Sequence, residues 1–165
     1  MDKVDTEKIE YKIDSINIIS HTQKDFSEYG LKSSDIKSGK CQLRLGLVID
    51  SDKSCITIPM KITVSVEHEN KKHELFSTEA EYTYRIKKMK SLFIANEADK
   101  YDIPDEFIRT LIGTALSGMR GIMVASTTIP EYKKILLPLI GTSELLEEMK
   151  KKQSEESSTT KSSSN

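Results

Sequence analysis

Strict alternation of apolar and polar residues over positions 56–66 is the strongest constraint on the fold of this chain. Successive side chains of a β-strand point to opposite faces of a sheet, so the pattern predicts a strand with one buried face. Pro59 interrupts the polar set and has no N–H to donate, so we expect it near an edge or a bulge. The apolar set is Ile56, Ile58, Met60, Ile62, Val64 and Val66.

Similar alternation on both sides predicts further strands. Leu residues alternate over positions 43–47, and the turn-forming residues 50–54 join that run to the next strand as a hairpin. A third run covers positions 74–86, and near the N-terminus the apolar parity changes around Asp14 and Ser15, which predicts a bulge. We predict a four-stranded antiparallel sheet, a meander with a crossover, in which residues 30–40 form a polar loop after the first strand.

After residue 90 the apolar spacing becomes helical. Asp102 is a suitable N-cap, Pro104 suits a first turn, and the sequence at residues 127–130 ends the helix. Ser143 predicts the start of a short second helix. The predicted class is therefore α+β, with the sheet covered by one long helix and one short C-terminal helix.

The long helix carries very little charge on its outer face. Residues 107–130 include only two charged side chains, Arg109 and Arg120, although 31% of the whole chain is charged. Small residues allow another backbone to approach closely, so we predict self-association through a two-fold contact. The alternative is that residues 131–140 fold back over this face. The predicted interface, termed the small-residue stripe, consists of Thr110, Thr114, Ser117, Gly118 and Gly121.

Composition limits the classes of protein to which the chain can belong. Its 165 residues predict one domain over residues 1–152, followed by a Ser- and Thr-rich tail, 153–165, that is too polar to fold. A net charge of -1 disfavours binding to nucleic acid. The N-terminus has no apolar stretch like a signal peptide, and no apolar run is long enough for membrane insertion, so we expect a cytoplasmic protein.

No residue cluster predicts catalysis, a metal site or a cofactor. The three His residues lack the spacing of metal ligands, and Gly39 and Lys40 lack the remaining residues of a phosphate-binding loop. Glu79 and Glu81 lie on the polar face of a predicted strand, where solvated charge is the simplest interpretation. We therefore expect a protein that is not an enzyme.

An aliphatic segment at residues 135–140 surrounds Pro138 and fits neither a strand nor a helix. It either closes the core or lines a groove for extended hydrophobic segments. The order of parts, together with residues 115–130 and this segment, resembles the SecB family of export chaperones and the SecB-like chaperones that accompany some toxin-antitoxin pairs. Similarity at the level of single residues is confined to about positions 108–146.

The resemblance implies a dimer of dimers whose long helices pack between two sheets, and ATP-independent holding of unfolded polypeptides. Glu79 and Glu81 lie on a strand comparable to the acidic face that docks the export motor in that family. The positions that match the family's groove-forming loop, and hence its client groove, are Tyr132, Ile135, Leu137 and Leu139.

Three functions are compatible with these patterns. The first is a SecB-like holdase whose partners are unfolded polypeptides, other copies of the chain, and either an export motor or an antitoxin. The second is a protein that binds a small molecule or an acyl chain in a closed apolar cavity between helix and sheet. The third is an adaptor for one dedicated protein partner.

Overall fold

The computed structural model describes residues 9–93, 95–96, 100–134 and 141–159. An antiparallel sheet is followed by helices, which confirms the α+β class. No helix within the described residues is long and apolar enough to cross a membrane. The strands are β1 (Tyr11–Gln23), β2 (Lys40–Leu45), β3 (Val48–Asp50), β4 (Cys55–His68), β5 (Lys71–Ile86), β6 (Ala95–Asn96) and β7 (Lys100–Tyr101). The helices are α1 (Met89–Leu92), α2 (Asp105–Ser126) and α3 (Thr142–Thr159).

The main sheet has the order β1-β5-β4-β2, and β3 also pairs with β4. β2 and β3 together form one edge strand, interrupted at Gly46 and Leu47 opposite Pro59. Pro59 has no N–H to donate, but its carbonyl oxygen accepts from the Gly46 N–H at 3.0 Å. The predicted crossover is confirmed: residues 24–39 carry the chain from β1, at one edge, to β2 at the opposite edge.

β1 contains the predicted irregularity, a register shift between Ile13 and Ser15, and a second shift follows after Ile18. The first shift lets apolar residues of opposite parity share one face of the sheet. The Asp14 carboxylate at this shift accepts two hydrogen bonds from Arg85, at 2.9 and 2.8 Å. These bonds from the Arg85 guanidinium hold the pKa of the Asp14 carboxyl below its usual range.

The core lies between α2 and the inner face of β4 and β5. All six apolar residues of the alternating run in β4 are at most 2% exposed. The Tyr84 hydroxyl donates to the Leu111 carbonyl oxygen at 3.0 Å, which fixes α2 on the sheet. α2 begins at Asp105 with Pro104 as its N-cap residue, two residues after the predicted N-cap, Asp102. α3 packs through its own apolar face, which consists of Leu145, Leu146 and Met149.

α3 is longer than predicted. The tail was expected to begin at residue 153, whereas the helix continues to Thr159. Once a helix is nucleated, each further residue adds one backbone hydrogen bond, and Lys, Gln and Glu are good helix formers. The helix therefore extends over seven residues of the predicted tail, 153–159, and residues 160–165 lie outside the described part of the chain.

Candidate functional site

The edge strand β1 exposes a row of large apolar side chains, termed the β1 strip. Their exposed fractions range from 39% to 50%. Their partners across β5 are all at most 1% exposed, so the strip lies on the same face of the sheet as the core. Residues of a core face are normally covered, and exposed apolar rows of this kind mark binding surfaces. The strip consists of Tyr11, Ile13, Ile16 and Ile18.

The position of α2 explains why the strip is exposed. At one end the ring of Tyr11 contacts that of Phe107, with centroids 5.3 Å apart. At the other end the Gln23 amide donates to the Thr128 hydroxyl at 2.6 Å and accepts from the Thr128 N–H at 3.1 Å. Between these ends α2 contacts β4 and β5. The helix therefore runs beside β1 in the same direction, and the middle of the strip is left open.

The small-residue stripe borders the β1 strip. Thr114 and Gly118 follow Phe107 by seven and eleven residues, so all three lie on one side of α2. Because Phe107 contacts Tyr11, that side of the helix is turned toward β1. Thr114 and Gly118 are therefore the members of the small-residue stripe nearest to the β1 strip.

The hydroxyl groups of the small-residue stripe are bonded within the helix. Thr110 donates to the Glu106 carbonyl oxygen, Thr114 to that of Thr110, and Ser117 to that of Gly113, each at 2.9 Å. Donors satisfied in this way do not need water. Another apolar surface can therefore cover the stripe without leaving these donors unpaired.

Gly118 differs from the rest of the small-residue stripe, because it contacts the sheet of its own protomer. A Cβ at this position would lie 2.7 Å from the Cε1 atom of Tyr82. Gly121, by contrast, has open space around the corresponding position. The small size of Gly118 thus allows α2 to approach Tyr82, and its place in an interface between copies stays a prediction.

Tyr132 is part of the core. Its side chain is 1% exposed, and its ring contacts those of Phe26 and Phe76. The Tyr132 hydroxyl donates to the Lys24 carbonyl oxygen at 2.8 Å, and burial raises its pKa to about 12. The prediction that Tyr132 lines a client groove is therefore corrected: it fixes the crossover segment to the sheet. The other predicted groove residues, Ile135, Leu137 and Leu139, lie outside the described residues.

Glu79 and Glu81 lie on the face of the sheet opposite α2. The Glu79 carboxylate is 3.4 Å from the Lys61 ammonium, which offsets its charge. Glu81 pairs in register with Pro59 and Asn17. Their role in docking a partner stays a prediction. Within the described ranges no group of three or more His, Cys, Asp or Glu side chains is placed to hold a metal ion.

No protein-family model and no curated protein matches the sequence. Among solved structures, the SecB-like chaperone Rv1957 of Mycobacterium tuberculosis, in complex with a ChAD peptide from the Rv1956 HigA1 antitoxin, has a TM-score of 0.46 and 9% identity, over 79% of this chain and 87% of that chain. A protein of unknown function from Streptococcus agalactiae has a TM-score of 0.37 and 10% identity, over 74% and 90% of the two chains. At TM-scores below 0.5 these similarities are too distant to establish a shared fold.

Proposed function

We propose that the protein is a cytoplasmic, ATP-independent holdase of the SecB-like kind, which binds hydrophobic segments of unfolded polypeptides along β1. The observation that carries this proposal is the exposure of the β1 strip beside an open strand edge. β1 pairs only with β5 among the described strands, so its other edge can accept an extended segment. Backbone hydrogen bonds are independent of sequence, and the β1 strip selects hydrophobic side chains.

The strength of such binding follows from the area available. Full burial of an Ile side chain is worth about 1.5–3 kcal/mol, so each half-exposed residue of the strip contributes about 1 kcal/mol. Ordering a flexible segment offsets much of this gain. A single β1 strip therefore binds weakly, and an oligomer that presents several such strips to one client binds it far more tightly.

Aggregation of a chemically unfolded client tests the proposal directly. The purified protein, mixed with the client at a stoichiometric ratio and without ATP, is expected to slow the rise of light scattering on dilution from denaturant. A non-binding folded protein at the same mass concentration is the control for crowding. An unchanged scattering curve for every client would contradict the proposal.

Self-association through the small-residue stripe is the second part of the proposal. We expect Gly121→Leu to reduce the molar mass measured by light scattering, because a bulky side chain separates surfaces that require close approach. The open space around Gly121 lets the protomer accept the change. Gly121→Ala adds a single methyl group and is the matched control. If Gly121→Leu had the same molar mass as the unmodified protein, this interface would be excluded.

The alternative of an acyl-chain-binding protein requires an apolar cavity. One cavity, of about 450 Å³ at the start of β1, is lined by charged residues such as Lys12, Arg85 and Lys87 together with Tyr11 and Ile86. An alkyl chain needs a closed apolar cavity, whereas this one is open to solvent. This cavity therefore does not favour the alternative.

A further inference from the structure

His21 lies on the core face of the sheet, near the end of β1 where the exposed β1 strip gives way to covered residues. It pairs in register with Thr78, which belongs to the core face and is 0% exposed. Ile18, the last residue of the β1 strip, is 50% exposed, whereas the His21 side chain is partly buried. His21 thus occupies the covered end of a strand that is otherwise exposed on this face.

The hydrogen bonds that hold the end of α2 beside β1 lie two residues away from His21. Side chains two residues apart in a strand point to the same face, so Gln23 follows His21 on the core face. Gln23 forms two hydrogen bonds with Thr128, which comes two residues after α2 ends. This pair of bonds is termed the Gln23–Thr128 contact. His21 is therefore placed where β1 and the end of α2 are joined.

Only one of the two ring nitrogens of His21 has a hydrogen-bond partner. Its Nδ1 atom lies 2.8 Å from the hydroxyl oxygen of Thr78. Its Nε2 atom is buried, and no group of the described residues bonds to it. A neutral imidazole has one N–H, which Nδ1 can direct to Thr78 while Nε2 stays unprotonated. A protonated ring has two N–H groups, and the one at Nε2 would be buried without an acceptor.

The charged groups on the elements around His21 do not compensate a positive ring. On α2, the side turned toward β1 carries Phe107, and by helical spacing Arg120 lies on the far side. On β5, the acidic residues 79 and 81 lie on the opposite face of the sheet. The remaining charges follow β1 and α2 in the chain, namely Lys24, Asp25 and Glu131. Across the described ranges, no carboxylate forms an ion pair with His21.

We propose that His21 is a pH-sensitive latch, which holds the ends of β1 and α2 together when it is neutral and releases the Gln23–Thr128 contact when it is protonated. A charged ring in its present place would be a buried cation without a partner, which is costly. Local opening of this end of the sheet lets water solvate the ring and breaks fewer contacts than global unfolding. Histidine changes charge between about pH 5 and pH 8, so the latch responds to mild acid. The latch is independent of the proposed client binding.

The sign and the size of the effect follow from the proton balance. Stability contributed by a buried neutral ring is present at high pH and is lost as the pH falls, because the opened state takes up the proton. An exposed imidazole has a pKa of about 6.5, so the opening equilibrium constant rises at most about tenfold from about pH 7.5 to about pH 5.5.

The carboxyl groups of the chain act in a different pH range. Hydrogen bonds from Arg85 and from Ser27 lower the pKa of the Asp14 and Asp25 carboxyls, respectively. A carboxyl with a lowered pKa contributes stability that is lost only below about pH 5. A change between about pH 7.5 and about pH 5.5 therefore reports on histidine.

Hydrogen exchange of the full chain, followed by mass spectrometry at these two pH values, tests the inference. Labelling times are scaled for the pH dependence of intrinsic amide exchange. We expect protection in the segments 20–25 and 124–129 to fall about three- to tenfold on acidification, because these segments contain the two sides of the latch. Segment 55–62, in the centre of the sheet, should keep its protection.

Substitution of His21 shows whether this ring is the cause. In His21→Gln the side chain is polar but cannot be charged, so protection in the two segments should no longer depend on pH. His68→Gln is the matched control and should retain the response, because the His68 Nε2 atom lies 3.9 Å from the Glu69 carboxylate and is already next to a negative charge. His21→Leu, which also cannot be charged, replaces the first variant if circular dichroism shows that glutamine disturbs the fold.

Each outcome either supports or overturns the latch. Equal protection of the two segments at both pH values would overturn it, as would a response that persists in His21→Gln or disappears in His68→Gln. Protection that falls evenly over all segments would also overturn it, since the opening would then be global. A response confined to the two segments and lost only with His21 would support it. Suppression of client aggregation at about pH 7.5 is tested separately and does not depend on the result.

Discussion

The double substitution Ile16→Lys and Ile18→Lys is expected to abolish the suppression of client aggregation. Both side chains are about half exposed, at 47% and 50%, and lie in the middle of the β1 strip. The change removes about 2 kcal/mol of apolar burial on binding, and the new ammonium groups must also lose hydration, so we expect the client affinity to fall by at least about thirtyfold. Peptide titration and light scattering measure the loss.

Val48→Lys is the matched control for this experiment. Val48 is 55% exposed and lies in β3, on the edge of the sheet opposite β1. The substitution adds charge to an exposed apolar position without changing the β1 strip, so client binding should persist. Circular dichroism must show a native fold for both proteins. A folded double variant that still suppressed client aggregation fully would exclude the β1 strip as the client surface.

Gly118→Ala is expected to destabilise the protein by about 1–2 kcal/mol, whereas Gly121→Ala should stabilise it by up to about 1 kcal/mol. Alanine is the better helix former at both positions, so the difference isolates tertiary packing. At Gly118 the added Cβ would lie 2.7 Å from Tyr82 Cε1, and the Tyr82 ring is buried and unable to move aside freely. Urea denaturation at a fixed protomer concentration measures both free energies of unfolding.

A double-mutant cycle with Tyr82→Leu tests the cause of this difference. The smaller side chain removes the ring atoms that the new Cβ would meet, so Gly118→Ala should cost much less in that background. The Tyr82 hydroxyl is also buried without a hydrogen-bond partner in the described part of the chain. Tyr82→Phe should therefore be close to neutral for stability. Equal effects of alanine at Gly118 and Gly121 would show that α2 does not approach the sheet as closely as described.

Local patterns in the sequence were sufficient to predict the strands of the main sheet, the long helix and the irregularity near Asp14, but not α1, β6 or β7. These features depend on periodicity, and periodicity follows from backbone geometry that acts over a few residues. The change of apolar parity between Ile13 and Ile16 predicted a bulge because only an extra residue lets both face the core. The crossover that joins β1 to the far edge of the sheet was also predicted.

The candidate site was predicted less well. Apolar character at Tyr132 is compatible with a groove wall or with a core position, and only its contacts with Phe26 and Phe76 distinguish the two. Likewise, small residues at Gly118 and Gly121 follow the same helical spacing, yet one contacts the sheet and the other faces open space. A sequence pattern records the type of a residue, not the distance to its neighbour.

The β1 strip shows most clearly which properties a sequence pattern can predict and which depend on tertiary packing. Alternation predicted a strand whose apolar parity changes at a bulge near Asp14, because a period of two separates the faces of any sheet. It could not indicate that this strand lies at an edge, or that α2 is held at both ends beside it and covers β4 and β5 instead. Exposure is a property of the assembled layers, so only the tertiary structure decided that part of the core face remains uncovered in the single chain.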